Sequence, residues 1–177
     1  MKYMSPRDLA WCSIFGAAAW FLPVFFHMFS LGSTFLPMYL PIMALAFFVR
    51  PVAAAITAFS VPLLSAAVTG MPPFFPPVAF FMAVELAFMA FTASFLSRRM
   101  NKVNSLWILV PVLFTGRILH VVMVYFVSMW INLPAKYTAG ITFISGWPGV
   151  VLMIAVIPVL VKIRKTLPER IPDESRL

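Results

Sequence analysis

Residues Pro51–Val84 read PVAAAITAFSVPLLSAAVTGMPPFFPPVAFFMAV, without a single charged side chain. A helix needs about 20 apolar residues to cross the hydrocarbon core of a bilayer, so this run is too long for one crossing. The segment Thr69–Pro77 divides it. Pro72, Pro73, Pro76 and Pro77 lack an amide proton and have a fixed φ, so the segment cannot continue a regular helix. Two spans follow, near Val52–Val68 and Val78–Leu96.

The same reasoning extends in both directions. Leu9–Phe26 is uncharged and long enough to cross, and the chain then stays uncharged to Val49. Gly32 and Pro37 punctuate a polar interval after His27, so a second span runs from Phe35 to Val49. Arg50-Pro51 ends it, because the residue before a proline is biased away from helix. Arg98, Arg99 and Lys102 close the fourth span. A fifth runs from Leu106 to Ile131, and Asn132–Gly140 forms a loop. A sixth occupies Ile141–Val161, interrupted by Gly146-Trp147-Pro148-Gly149 and stopped by Lys162, Arg164 and Lys165. The expected architecture is an all-α membrane protein of six transmembrane helices. Residues 1–165 form one domain, and 166–177 form a short charged cytoplasmic tail.

Composition excludes the alternatives. The 177 residues are 63% hydrophobic and 10% charged, with a mean hydropathy of +1.00. Soluble domains hold about 45–50% apolar and about 25% charged residues, and so small a chain cannot bury the difference in a water-facing core. Disordered chains are poor in apolar and aromatic residues, so disorder fails too. The net charge of +8 could point to nucleic acid, but in a membrane protein the placement of each positive charge matters more than the total. Cys12 is the single cysteine, so no intrachain disulfide or cysteine metal cluster can form.

Charge placement tests the six-span division. With alternating loops, Lys2, Arg7, Arg50, Arg98, Arg99, Lys102, Lys162, Arg164, Lys165, Arg170 and Arg176 share the side of the termini. Lys136 alone lies opposite, and Arg117 falls within a span. Positive residues collect in the cytoplasm, so both termini are expected there. A cleaved signal peptide ending near Ala17-Ala-Ala19 is a competing reading, but apolar residues continue through Phe26. No internal repeat supports a duplicated transporter fold.

The two kinds of loop differ. Inner turns are short and basic, whereas outer loops are longer and rich in Pro, Gly, Phe, Met and Trp. Irregular backbone near membrane depth is tolerated where it is buried in protein or lines a cavity. Such loops are expected to cap a pocket; the plainer reading makes them apolar connectors at the interface.

Ionisable groups inside spans are costly and mark function by default. Glu85 in the fourth span and Arg117 and His120 in the fifth are the outliers. At 1.5 Å per residue Glu85 lies about 12 Å below the outer end of its helix, with Arg117 about 21 Å and His120 about 17 Å deep. A Glu85–Arg117 contact is within reach, and Arg117 and His120 share one helix face. Two readings stand side by side: a buried ion pair that fixes helix packing, or groups that bind the polar part of a ligand. His27 and His120 differ in height by about 15 Å, too far apart to be axial ligands of one haem. No zincin pair, nucleophile elbow or phosphate-binding glycine loop is present, so the chain is not expected to be an enzyme, to carry a cofactor or to hold a metal. If it moves a solute with ATP, the ATPase is another chain.

Small residues line particular faces: Ala10, Ser13, Gly16 and Ala17 in the first span, and Ala53, Ala54, Ala55 and Ala58 in the third. Close approach through small residues drives helix association in lipid. On the third span internal packing within the bundle is at least as good an account of them as a docking face. An exposed stripe on the first span would be a docking face.

Several motifs occur in order along the chain: Leu36-Pro-Met-Tyr-Leu-Pro41, Pro62-Leu-Leu-Ser65, Thr69-Gly-Met-Pro-Pro73 and Glu85-Leu86, then Gly116-Arg117, Gly146-Trp-Pro-Gly149 and Ile157-Pro158. Together, over about Ala10–Lys165, the chain resembles the substrate-binding S components of energy-coupling factor (ECF) transporters. That resemblance implies a six-helix bundle in a bacterial cell membrane that captures a vitamin-like micronutrient on its outer side. It implies partners: a membrane coupling subunit and two cytoplasmic ATPase subunits, with no nucleic acid. It places substrate under the first, third and fifth loops and against the outer halves of the later helices. The substrate-binding residues expected there are His27, Tyr39, Met71, Phe74 and Phe81, together with Glu85, Arg117, His120 and Trp147. Phe74, Phe75, Trp130 and Trp147 suit a flat ring, and Arg117 a carboxylate. Ala10, Ser13 and Ala17 fall where such proteins dock on their coupling subunit. Two readings from other classes stay open: a small integral-membrane enzyme and a non-transporting assembly subunit.

Overall fold

In a computed structural model of the chain, residues 4–28, 36–75, 77–100, 103–130 and 146–166 are described. The side chains of His27, Met28, Ser128, Trp130 and Lys165 lie outside that description, as do the Asn132–Gly140 loop, Lys136 and the tail beyond Thr166. Regular structure among the described residues is helical: α1 (Pro6–Met28), α2 (Tyr39–Ala46), α3 (Pro51–Thr69), α4 (Val78–Arg99), α5 (Ser105–Trp130) and α6 (Trp147–Thr166). All but α2 are long and apolar enough to cross a membrane.

Local chemistry sets the boundaries. Ser5 and Asp8 form a reciprocal cap at the start of α1: the Asp8 amide donates to Ser5 Oγ at 3.2 Å and the Ser5 amide to Asp8 Oδ2 at 3.0 Å. Pro51 opens α3 after an extended Arg50. Gly70 ends it in the left-handed region, at φ +73°, and its amide donates to the Ala66 carbonyl. Asn104 Oδ1 accepts the Leu106 amide at 3.3 Å and caps α5. Arg98 and Arg99 occupy the last turn of α4, where the helix dipole favours positive charge. The Gly146–Gly149 motif, expected to interrupt the sixth span, instead begins it. Gly146 turns the chain at φ +85°, Pro148 sits in the first turn of α6, and residues 141–145 lie outside the description.

The second element departs most from expectation. The run from Phe35 to Val49 is apolar enough for a crossing, yet α2 has eight residues and covers about 12 Å, less than half of the hydrocarbon thickness. It is a core element: Ile42, Met43 and Leu45 are fully buried. The five long helices form an arc in the order α1, α3, α4, α5, α6, and α2 sits inside it against α1, α3, α4 and α6.

The end of α2 is firmly held. Ser94 Oγ of α4 donates to the Val49 carbonyl at 2.6 Å. The Arg164 guanidinium of α6 donates to the Phe47 carbonyl and lies 5.0 Å from the centre of the Phe48 ring. Asp8 of α1 accepts the Arg50 amide at 3.3 Å and pairs with the Arg50 side chain at 3.6 Å. These contacts bring Arg7, Arg50, Arg98, Arg99, Lys162 and Arg164 to one end of the bundle.

Candidate functional site

Because α2 begins only at Tyr39, it lies beside the lower part of α4. Its first turn meets Glu85, and Val49, just past its end, meets Ser94. The upper part of the column, beside Val78 and Met82, is left to Leu36–Met38 and to a crevice of about 400 Å³. Pro23 of α1, Leu36, Pro37, Met38, Tyr39, the Met71–Pro73 connection, Val78 and Met82 line it. Its lining residues lie toward the end of the bundle away from the basic turns.

Beneath the crevice lies a buried polar cluster. Val78, Met82 and Glu85 are spaced along one face of α4, so Glu85 sits one turn below the crevice wall. Its carboxylate is fully buried. Oε2 accepts the Tyr39 hydroxyl at 2.5 Å and a hydrogen bond from His120 Nδ1 at 2.6 Å. One carboxylate oxygen can accept from both groups when the His120 proton is carried on Nδ1. The other oxygen, Oε1, has no hydrogen-bond partner among the described residues. Tyr39 therefore belongs to both parts of the site, its ring in the crevice wall and its hydroxyl on Glu85.

Arg117 completes the cluster from α5. It is buried, one helical turn from His120 on the same face of the helix. Its guanidinium lies against Gly146 at the start of α6, where an added Cβ would overlap Nη2 and would come within 2.8 Å of Leu36 Cδ1. Glycine is needed there twice over, for the left-handed backbone and for the space. Gly116 has a related role: a Cβ would overlap the side chain of Met89, one turn below Glu85, so its absence lets α4 and α5 approach. That approach brings His120 within hydrogen-bonding distance of Glu85.

Of the expected binding residues, Tyr39, Glu85, Arg117 and His120 converge in this cluster, and Met71 lines the crevice. Phe74 is exposed and its ring packs on Phe80 at 5.8 Å. Phe81 is half-buried on α4, and Trp147 is 40% exposed at the start of α6. Neither they nor Phe74 contribute to the walls around Tyr39. The His27 side chain lies outside the described residues. The walls come instead from Pro23, Pro37, Met38, Pro72, Val78 and Met82, which look like ordinary apolar residues of spans and turns. The hydrogen-bonding partners of the Glu85 carboxylate are Tyr39 and His120, where the sequence suggests Arg117.

Ala10, Ser13 and Ala17 are exposed on the outer face of α1, whereas Cys12 and Ala19 face inward. Ala53, Ala54 and Ala58 of α3 are fully buried, so the small residues of that helix serve internal packing. No protein-family model, curated protein or solved structure matches this chain, so the site's own geometry carries the functional reading.

Proposed function

We propose that this chain is the solute-capture subunit of an ATP-driven importer in the bacterial plasma membrane. Both termini are cytoplasmic, and energy comes from a separate coupling subunit and two ATPases, as in S components of ECF transporters. The observation that carries the reading is Tyr39, shared between an apolar crevice and a buried Glu85–His120 cluster. Concave apolar walls with a few convergent polar groups are the usual form of a small-molecule site, and intramembrane ionisable groups mark solute pathways. The crevice lies at the end of the bundle away from the basic turns, which under the positive-inside rule supports an outer-side site. The exposed Ala10, Ser13 and Ala17 on α1 provide the close-packing face that docking onto a membrane partner requires.

Two measurements test this. Mass spectrometry of the purified protein is expected to find one small organic compound in near-stoichiometric amount, lost when Val78→Trp fills the crevice. Cells are expected to take that compound up only when the coupling subunit and both ATPases are co-expressed. Uptake that persists without the ATPases would remove the energising part of the proposal, and retention by Val78→Trp would remove the crevice. Orientation is checked separately: a periplasm-dependent reporter fused to either terminus should stay inactive.

A further inference from the structure

We propose that the guest of this crevice is an uncharged, largely apolar molecule that presents an N–H or O–H donor to Oε1 of Glu85. This rests on the solute-capture reading and adds the chemical class of the solute. The walls set the first requirement. Pro23, Leu36, Met38, Met71 and Met82 offer no side-chain hydrogen-bond donor, so most of the guest's surface must be one that loses little on leaving water.

The carboxylate sets the second. Tyr39 and His120 both donate to Oε2, while Oε1 is buried and without a hydrogen-bond partner among the described residues. A buried acceptor in that state costs free energy that an arriving donor recovers. The oxygen lies one turn below Met82, whose unbranched side chain is the most adaptable part of the wall. For a guest in the crevice to reach Oε1, Met82 must give way beside Tyr39, and the proposal includes that movement.

Charge sets the third. Arg117 is buried one helical turn from His120, the hydrogen-bonding partner of Glu85, so a positive side chain already stands close to the acidic one. A cationic guest would add unmatched positive charge in a low-dielectric interior, and an anionic guest would face the carboxylate. A neutral donor avoids both penalties.

A matched probe series tests the assignment by titration calorimetry on the purified full-length protein in detergent. The probes are benzamide, N,N-dimethylbenzamide, benzoate and benzylammonium. Benzamide is expected to bind about tenfold or more tightly than its dimethyl form, since a hydrogen bond to a charged group is at stake, and more tightly than either ion. In Glu85→Gln, Tyr39 and His120 hold the amide oxygen in the place of Oε2, so the amide NH2 replaces Oε1 and the acceptor becomes a donor. The order of the two amides is then expected to level or reverse.

Equal binding of the two amides by the unaltered protein would overturn the donor requirement, and preference for either ion would overturn the uncharged class. Both results would leave solute capture standing, because binding itself is seen. Binding of no probe would overturn the assignment, while co-purification and uptake judge the capture reading independently. Should Glu85→Gln fail to fold, the probe order on the unaltered protein decides alone.

Discussion

Glu85→Ala is expected to lower the stability of the detergent-solubilised protein by about 3–5 kcal/mol, the usual cost of removing one partner from a buried charged network. The substitution strips the acceptor from two donors at once. The Tyr39 hydroxyl and His120 Nδ1 would be left in an apolar interior at distances of 2.5 and 2.6 Å from an atom no longer there. The void would also remove packing between α4 and the first turn of α2. Glu85→Gln keeps one carbonyl for those donors and is expected to retain more of the stability. Thermal unfolding of the two variants side by side provides the check. An alanine variant as stable as the parent would mean that the cluster contributes nothing to the fold.

Gly146→Ala should be the second most damaging change, at about 2–4 kcal/mol, through backbone strain and overlap together. The backbone at φ +85° disfavours any Cβ, and this Cβ would meet the Arg117 guanidinium and Leu36. Gly70→Ala supplies the comparison. Its backbone is also left-handed, at φ +73°, but the new methyl group would meet nothing within 4 Å. It should show the strain alone, about 1–2 kcal/mol. The excess in Gly146→Ala isolates the displacement of Arg117 and Leu36, and it should come with weaker retention of any co-purifying compound. Equal losses in the two variants would show that Arg117 moves aside freely.

Much of this arrangement was legible in the chain because membrane spans are punctuated by few and strong signals. Arg50-Pro51, the prolines after Gly70, and Arg98-Arg99 mark boundaries that α3 and α4 follow closely. Glu85, Arg117 and His120 stand out because ionisable groups are rare among apolar neighbours; all three are buried, and Glu85 and His120 meet. The brevity of α2 was not legible. Phe35–Val49 contains no charge or glycine, and an apolar run that fills a protein core reads the same as one that faces lipid. The crevice follows from that brevity and was equally hidden. Pro23, Met38 and Met82 have no special chemistry, and only the missing half of a helix turns them into walls. Aromatic residues misdirect for a similar reason: Phe74 and Trp147 are as much at home at an interface as in a pocket.

The seat of α2 has a consequence for how the chain comes together during synthesis. The Phe47 and Val49 carbonyls just past its end find no amide donor in their own helix and accept hydrogen bonds from Arg164 and Ser94, the former near the end of α6. Until that helix emerges from the ribosome and folds back, the eight-residue segment has no complete berth and is too short to lodge in the bilayer by itself. Closure of the bundle around α2 therefore waits on the synthesis of α6, and release of the nascent chain before that point would leave the inner segment unmoored.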